Sequence, residues 1–247
     1  MIGELSLPAL DMLWEDLRLG NFPFPLEIRS HGETVEERIR IKAAVYSDLE
    51  HRGLVRARRA EPELEDVLHL LARPTISIDA VAMLDLAGEP TKAMVVATGR
   101  HALLAVQGEL TVKLTPVRET ALTSSIVEVL PHVKAGPGAP VSMPADDLNA
   151  RGAHRKPDPE DRMKLQRLAA VMQRPVIRAG QFGITVRDPH GKATRLPGIS
   201  WFDTDAGRYM NTLRAASDGE EWLTLTPADN GRISHRLSEE LLQALKR

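Results

Sequence analysis

An internal duplication constrains the fold of this chain more than any other feature of its sequence. Three short runs occur in both halves in the same order: residues 6–9 (SLPA) and 142–145 (SMPA), 73–76 (RPTI) and 174–177 (RPVI), and 114–116 and 225–227 (LTP in both). Because the patterns around these runs also agree, we predict that the chain contains one structural unit twice. Residues 1–138 are the first copy and residues 139–247 the second, and together they form one globular domain.

Each copy is predicted to contain a helix followed by an antiparallel meander of four strands. A residue before proline is pushed out of the α region, so Arg73 and Arg174 should end the helices that precede them. Alternating apolar residues separated by turn residues then predict strands. They are residues 76–84, 94–98, 103–106 and 110–114 in the first copy, and 182–186, 199–203, 208–213 and 221–226 in the second.

Each meander ends in a Thr-Pro pair, which is a typical entry to a helix. Threonine can cap the first turn, and proline at the first helical position loses no hydrogen bond. We therefore predict one helix from Pro116 to Leu130 and another that follows Thr226. The buried positions of the second helix recur every fourth residue: Ile233, Leu237, Leu241 and Leu245.

The first copy also carries a helix-rich insertion near residues 20–55. A helix is predicted between residues 34 and 52, and Gly53 is the residue expected just after its end. Its buried positions are expected to be Val35, Ile39, Tyr46 and Leu49.

Segments rich in glycine, proline and charge at residues 134–140 and 151–159 place the boundary between the copies near residue 138. Two such units with short connections should pair into one body. The predicted fold is therefore α+β: a pseudo-two-fold duplicated unit with a central antiparallel β-sheet, flanking helices and a C-terminal helical bundle.

The composition indicates a globular protein of the reducing cytoplasm. The chain has no cysteine, which excludes disulfides and thiolate metal sites. A formal net charge of −2 and an aromatic content of 4% provide neither the positive charge nor the stacking side chains that nucleic acid requires. The N-terminus lacks a basic flank before an apolar run, and no segment approaches about 18 uninterrupted apolar residues, so we expect no signal peptide and no membrane insertion.

Sequence patterns of catalysis are largely absent, and we predict no cofactor. The eight histidines show no spacing that sets two metal ligands on one face, no glycine-rich run continues as a phosphate loop, and no serine lies in a nucleophile elbow. Asp203 and Asp205 are the most suggestive pair of carboxylates, because they could hold a divalent cation if other oxygens converged. We favour a turn, in which aspartate side chains cap local N–H groups and glycine takes a positive φ.

Trp201 and Phe202 are adjacent in a predicted strand and therefore point to opposite faces of the sheet. One of them should belong to the core. The other lies on the second face, where an aromatic side chain is either covered by a helix or offered to a partner. We favour the core for both and keep the interface as the alternative.

Several runs resemble the EspG family of type VII (ESX) secretion chaperones. They are residues 181–187 (QFGITVR), 201–209 (WFDTDAGRY), 222–229 (WLTLTPAD) and, near the N-terminus, the leucines of 13–19 with 22–25 (FPFP). The resemblance implies a quasi-two-fold α+β fold and no catalysis. It also implies a cytoplasmic chaperone that binds the helical tip of the PPE protein in a PE/PPE heterodimer, or a related ESX substrate. Such a chaperone shields the apolar tip and directs the pair to a secretion system.

By the same resemblance, the partner should lie in a groove along the second-copy sheet and the C-terminal helix. A hairpin between Asp85 and Glu89 is expected to flank it. The other residues predicted to bind the partner are Trp201, Met210, Leu223, Arg232, His235 and Arg236.

Two alternatives stay open at this point. The first is a pseudo-symmetric enzyme whose cleft contains Asp203, Asp205 and Arg208, which a deep, ligand-sized pocket with strongly perturbed carboxylates would favour. The second is a homodimer of the free protein, in which the face described above pairs with its own copy.

Overall fold

A computed structural model describes residues 3–148, 159–216 and 219–246. The strands found there are, in chain order, β1 (Gly3–Ser6), β2 (Val55–Arg56), β3 (Arg59–Ala60), β4 (Ile76–Met83), β5 (Thr91–Thr98), β6 (His101–Gln107), β7 (Thr111–Val117), β8 (Val141–Pro144), β9 (Val176–Arg187), β10 (Ala193–Arg195), β11 (Ile199–Thr204), β12 (Gly207–Ala215) and β13 (Glu221–Pro227).

The helices within the same ranges are α1 (Leu7–Asp16), α2 (Val35–His51), α3 (Pro62–Ala72), α4 (Leu122–Val127), α5 (Pro159–Met172) and α6 (Asn230–Leu245), and short 3-10 turns lie at Glu119–Ala121 and Ala145–Leu148. In the part of the chain that the structure describes, no helix combines the length and apolar character that crossing a bilayer requires. The fold is mixed, with a large antiparallel sheet flanked by helices, as predicted.

The described residues divide into two compact units. The first comprises residues 3–79, 91–126 and 187–193, and the second comprises 80–90, 127–148, 159–186, 194–216 and 219–246. These compact units do not follow the boundary predicted near residue 138, because each contains segments from both sides of it. The division into copies at residue 138 therefore stays a prediction, and residues 151–158 of its second linker lie outside the described residues.

In the first unit the strand order is β1, β7, β6, β5 and the first half of β4. Helix α1 begins directly after β1 because the Ser6 hydroxyl accepts a hydrogen bond from the N–H of Ala9 and Pro8 fits the first turn. Its apolar residues pack with those of α2, α3 and one face of the strands. Leu10, Leu13, Leu49, Leu64 and Leu103 are among the buried members of this core.

In the second unit the order is the second half of β4, then β9, β11, β12, β13 and β8. Helix α5 covers one face of these strands through Leu168, which packs with Phe202, Tyr209 and Leu225. The rings of Phe202 and Tyr209 are stacked with their centroids 5.6 Å apart. The opposite face of β12 and β13 is therefore the one available to α6 and to the candidate site described below.

The repeated runs occupy matching places in the two strand orders. The first run, residues 6–9, spans the last residue of β1 and the start of α1, and β1 pairs with β7 at the end of the first meander. Its second occurrence, residues 142–145, spans the last three residues of β8 and the start of a 3-10 turn, and β8 pairs with β13 at the end of the second meander. Each Arg-Pro pair lies between a helix and a strand, α3 to β4 and α5 to β9. The predicted helices and strands of both meanders are confirmed, with β9 starting six residues earlier than predicted.

The Thr-Pro pairs do not start helices, and this prediction was wrong. Both pairs lie inside strands, and α6 is capped by Asp229 instead. Proline is tolerated at position 227 for two reasons. Strand β8 does not reach it, since the last residue of β13 that pairs with β8 is Leu225. The hydrogen bond to β12 is donated by the N–H of the next residue, Ala228, so none is lost at the proline. Because Thr115 and Pro116 belong to β7, the helix predicted over residues 116–130 is shortened to α4.

Two predicted buried faces were only partly correct. Tyr46 and Leu49 of α2 are buried, but Val35 and Ile39 are 72% and 63% exposed, because the N-terminal half of this helix extends beyond the core. In α6 the first three predicted positions are buried, whereas Leu245 is half exposed at the end of the helix.

Candidate partner-binding site

One face of strands β12 and β13 carries a continuous row of side chains. In β12 they belong to Met210, Thr212 and Arg214. The antiparallel register sets Met210 opposite Thr226 and Thr212 opposite Thr224 of β13. Because alternate residues of a strand share a face, these side chains form one surface on the side of the strands opposite α5.

Helix α6 borders this surface and is amphipathic. The carboxylate of Asp229 accepts a hydrogen bond from the backbone N–H of Arg232 at 2.8 Å, which satisfies the first turn and fixes where the helix begins. Its buried positions are Ile233, Leu237 and Leu241. The helix therefore uses one side for packing, and its other residues face the strand surface or solvent.

An open groove of about 620 Å³ lies between α6 and the strand surface. We call it the α6 groove, and it is lined by Met210, Thr212, Arg214, Thr224, Thr226, Asp229, Gly231, Arg232, His235, Arg236 and Glu239. Four of the predicted partner-binding residues are thus brought together here: Met210, Arg232, His235 and Arg236. Methionine and the threonine methyl groups give the strand side an apolar character, while the helix side is charged.

The charges along the helix side are not equally compensated. Arg236 is paired with Glu239 at 3.0 Å and with Glu240 at 2.9 Å, and Arg214 of β12 also hydrogen-bonds Glu240. These contacts brace the helix against the strand. Arg232 is exposed and donates to the carbonyl of Pro227 at 2.9 Å, and within the described ranges it forms no salt bridge. Its charge is therefore available at the mouth of the groove.

A buried ion pair lies next to the groove on the same face of the sheet. Arg208, two residues before Met210, is fully buried, and its Nε and Nη2 donate to the two carboxylate oxygens of Asp203 at 2.6 and 3.0 Å. The same guanidinium donates to the carbonyl of Pro131 at 3.0 Å and to the side-chain oxygen of Asn230. Because its donors meet oxygens on several segments, this buried charge can be accommodated without water.

Trp201 lies beneath this ion pair. The Arg208 guanidinium is 4.7 Å from the centroid of its ring, a cation–π arrangement, and only 1% of the tryptophan is exposed. The register places it opposite Gly180, where an added Cβ would come within 3.0 Å of the indole. The glycine leaves room for the ring, so Trp201 and Phe202 are both core residues, as favoured, on opposite faces.

A comparison with models of protein families identifies the family of this chain. A model of the EspG family matches residues 6–239 of the chain. The chain belongs to the EspG family. The resemblance noted in the sequence is thereby confirmed for nearly the whole chain.

A solved structure agrees with this EspG chain at the level of the fold. It is the structure of the Mycobacterium tuberculosis type VII secretion system chaperone EspG5 in complex with a PE25–PPE41 dimer, which the chain matches with a TM-score of 0.72. The match covers 96% of this chain and 95% of the other at 15% sequence identity. A comparison with curated proteins finds no match.

The remaining predicted partner-binding residues of this EspG chain lie outside the α6 groove. Leu223 is half-buried on the opposite face of β13, where its register partner in β8 is Met143. Asp85 and Glu89 are exposed in the hairpin after β4. The side chain of Asp85 accepts a hydrogen bond from the N–H of Ala87 at 3.0 Å, which shapes the turn.

The segment from Asp203 to Gly207 is a turn in this EspG chain, although the cap is not the one predicted. The Thr204 hydroxyl contacts both the N–H of Ala206, at 3.2 Å, and the carbonyl of Gly207, at 3.0 Å. Gly207 has φ +131°, as a glycine in such a turn should. Asp205 is exposed and is paired with Arg174 at 3.0 Å. Among the described residues, no group of three or more histidines and carboxylates is arranged for a metal ion.

Reasoning from the sequence missed the residues on the strand side of the groove. Thr212, Arg214, Thr224 and Thr226 were not singled out because each looks like an ordinary solvent-facing strand residue. Their shared parity with Met210 was the signal that was available: two adjacent strands whose alternate residues are polar or β-branched present one face.

Proposed function

We propose that this EspG protein is a cytoplasmic secretion chaperone. Its partner is the PPE protein of a PE/PPE heterodimer, or a related ESX substrate, which it keeps soluble and directs to a type VII secretion system. The observation that carries the proposal is the EspG family match over residues 6–239. The fold match to a complex of EspG5 with a PE25–PPE41 dimer supports the same partner class.

The α6 groove is suited to a helical tip. Methionine adapts to differently shaped apolar surfaces, and the threonines beside Met210 offer methyl groups and hydroxyls on a regular strand spacing. The groove is partly open to solvent rather than enclosed, which suits a segment of protein better than a small molecule. Met210 is only 9% exposed and lines the groove from below. We infer that an apolar helix end packs over it, on the strand surface.

The charges of the groove suggest how the tip is oriented. Arg232 has an uncompensated charge at the mouth, and His235 is exposed one helical turn further along, 3.5 Å from Glu239. An acidic residue beside the apolar tip of the partner would pair with Arg232. Such a pair would orient the partner and raise the association rate more than it would raise the affinity. Arg236 is already paired with two glutamates, so its part is to hold the helix.

The hairpin after β4 is proposed as a second contact. Leu86 is 50% exposed between the predicted contact residues Asp85 and Glu89. An exposed leucine between two acidic residues gives this loop an apolar tip with a negative rim. A partner with a basic residue for this loop and an acidic residue for Arg232 would be recognised by both the loop and the groove. Asp85, Glu89, Trp201 and Leu223 thus remain proposed contributors, with Trp201 acting from beneath the surface.

The test is co-expression of the chain with a PE/PPE pair encoded beside it, followed by size-exclusion chromatography with light scattering. We expect a heterotrimer, and its loss when apolar residues of the PPE tip are changed to acids. On the chaperone, Arg232→Glu should slow assembly and reduce the heterotrimer fraction at low protein concentration, while Arg40→Glu, an equal charge reversal at an exposed position of α2, should leave both unchanged. If the chain elutes apart from a well-behaved PE/PPE pair, the proposal is wrong.

The same chromatography addresses the two alternatives. The free chain analysed at two concentrations would reveal the predicted homodimer as a size that depends on dilution. The enzymatic alternative is disfavoured because Asp203 and Arg208 are buried against each other and only Asp205 reaches solvent. A substrate therefore has no access to two of the three groups that this alternative requires.

A further inference from the structure

The Asp203 carboxylate is the meeting point of two arginines, one of which leads to α6 and the other to the hairpin after β4. It is 1% exposed, and both of its oxygens are engaged by Arg208. A second guanidinium, that of Arg178 in β9, lies 3.6 Å from its Oδ2. The groove itself makes no use of this carboxylate, which the proposed function leaves unexplained.

Arg208 leads from Asp203 to the beginning of α6. It hydrogen-bonds the side-chain oxygen of Asn230, the first residue of that helix, and the carbonyl of Pro131. The amide nitrogen of Asn230 in turn faces the carbonyls of Val127 and Leu130, each at 3.4 Å. The first turn of α6 is thus attached to the sheet and to the chain that follows α4 through one guanidinium.

Arg178 leads from the same carboxylate to the hairpin. Its Nε donates to the carbonyl of Leu84 at 3.2 Å, and Leu84 is the residue through which β4 enters the hairpin. The contact is to backbone, so it fixes the path of the chain rather than one side chain. Arg178 is a third exposed, whereas Arg208 is fully buried.

We infer that Asp203 is a positioning residue that holds the start of α6 and the base of the hairpin in a fixed relation to each other. A buried carboxylate has a strong demand for donors, and here the two arginines that meet it are the ones that reach these two elements. The inference concerns geometry within the second unit. Its consequence for binding rests on the proposed function.

Removal of the charge without change of shape should loosen both elements. In Asp203→Asn the negative charge is removed and one carboxylate oxygen is replaced by an NH₂ group, which cannot accept from a guanidinium. Arg178 therefore loses its ion pair, and Arg208 keeps at most one of its two hydrogen bonds to this side chain. In Arg178→Met only the hairpin loses its attachment. Asp205→Asn is the matched control, because the same substitution two residues away affects an exposed pair.

The distance between the two elements can be measured directly. Because the chain has no cysteine, Leu86→Cys and His235→Cys place two nitroxide labels at unique, exposed positions of the hairpin and of α6. Pulsed electron–electron double resonance then gives the distribution of distances between the two labels in the protein alone, with no partner bound. We expect the distribution to broaden at least twofold in Asp203→Asn, to broaden in Arg178→Met, and to keep its width in Asp205→Asn.

A general loss of stability must be separated from a loss of positioning. Leu225→Ala removes a core side chain from the opposite face of β13 and should destabilise the fold while the distribution stays narrow. An unchanged width in a folded Asp203→Asn protein would overturn the inference. If Asp203→Asn does not fold, the test rests on Arg178→Met, and an unchanged width of its distance distribution would also overturn the inference.

Partner binding is then measured on unlabelled proteins. If the proposed function is correct, Asp203→Asn should weaken the PE/PPE complex about tenfold, although Asp203 itself is out of reach of any partner. Broadened distances with no PE/PPE complex in any variant, including the unchanged protein, would refute the proposed function and leave the positioning role in place. Broadened distances with unchanged affinity would refute the link between the two.

Discussion

The burial of Arg208 allows its contribution to stability to be predicted from its contacts. In Arg208→Met the guanidinium is removed while most of the stem remains, and the Asp203 carboxylate is left buried with only Arg178 nearby, at 3.6 Å. Breaking a buried ion pair on one side typically costs about 3–5 kcal/mol. We expect the upper part of that range, because the carbonyl of Pro131 and the side chain of Asn230 also lose their donor.

Urea unfolding followed by tryptophan fluorescence measures this cost. Trp201, one of the three tryptophans, lies with its ring against Arg208, so part of the emission follows the second unit at the site of the change. The control is Arg174→Met, which removes the same groups from the exposed pair with Asp205 and should cost no more than about 1 kcal/mol. The double variant Arg208→Met/Asp203→Leu should recover at least about 2 kcal/mol, since no charge is then left buried.

Two results would refute this reasoning. One is a loss of under about 1 kcal/mol for Arg208→Met, comparable with the exposed control, which would mean that water reaches the pair. The other is a double variant no more stable than Arg208→Met alone, which would mean that the cost arises from the lost packing of the arginine rather than from the stranded carboxylate.

Three further predictions follow from other sites. Burial alone would raise the pKa of Asp11, but hydrogen bonds from an arginine and from a backbone N–H outweigh it and hold the pKa below its usual value, so the unfolding free energy should fall as the pH drops below about 4, and less so in Asp11→Asn. Burial raises the pKa of both tyrosines, Tyr46 and Tyr209, so phenolate absorbance should develop above about pH 10 in the folded protein and near pH 10 in urea. Gly180→Ala should cost roughly 1–3 kcal/mol in urea unfolding, because its Cβ would lie 2.6 Å from a backbone carbonyl oxygen of β4.

Each of these has a clear contrary outcome. Equal acid sensitivity of Asp11→Asn and the unchanged protein would show that the carboxylate contributes nothing to the pH dependence. Phenolate formation at the same pH in the folded and unfolded protein would contradict the burial of the tyrosines. For the glycine, Gly108→Ala is the matched control, since its nearest neighbour would be an ordinary 3.6 Å away, and an equal cost at both sites would exclude the close approach as the cause.

The sequence predicted the meanders well because local patterns determine them. Alternation, turn residues and the Arg-Pro pairs place strands whether or not the tertiary structure is known. The prediction from the Thr-Pro pairs was wrong because the same two residues also fit the end of a strand, where the missing N–H of proline costs no hydrogen bond. At Pro227 this depends on the length of β8, which the sequence does not show. The exposure of Val35 and Ile39 was likewise invisible, since periodicity shows that a helix has an apolar face but not how far the core extends beneath it.

The candidate site was predicted in outline and missed in detail. The buried side of α6 could be recognised from its apolar period, whereas the start of the helix at Asp229 was not predicted. Leu223 and Met210 were assigned to one groove although their positions differ in parity across the β12–β13 register, which places them on opposite faces. The network around Asp203 joins segments up to 103 residues apart, and no local pattern encodes such a meeting.

The turn between β11 and β12 lies in one of the runs by which this chain can be recognised as an EspG protein, and its two charged ends, Asp203 and Arg208, are hidden from any partner. A sequence signature made of buried residues indicates that the fold is present but gives no information about what the protein binds. Two proteins can share it and still accept different substrates. We therefore propose that substrate choice resides in the exposed loop around Leu86 and along the outward side of α6, where a substitution can alter recognition without endangering the fold.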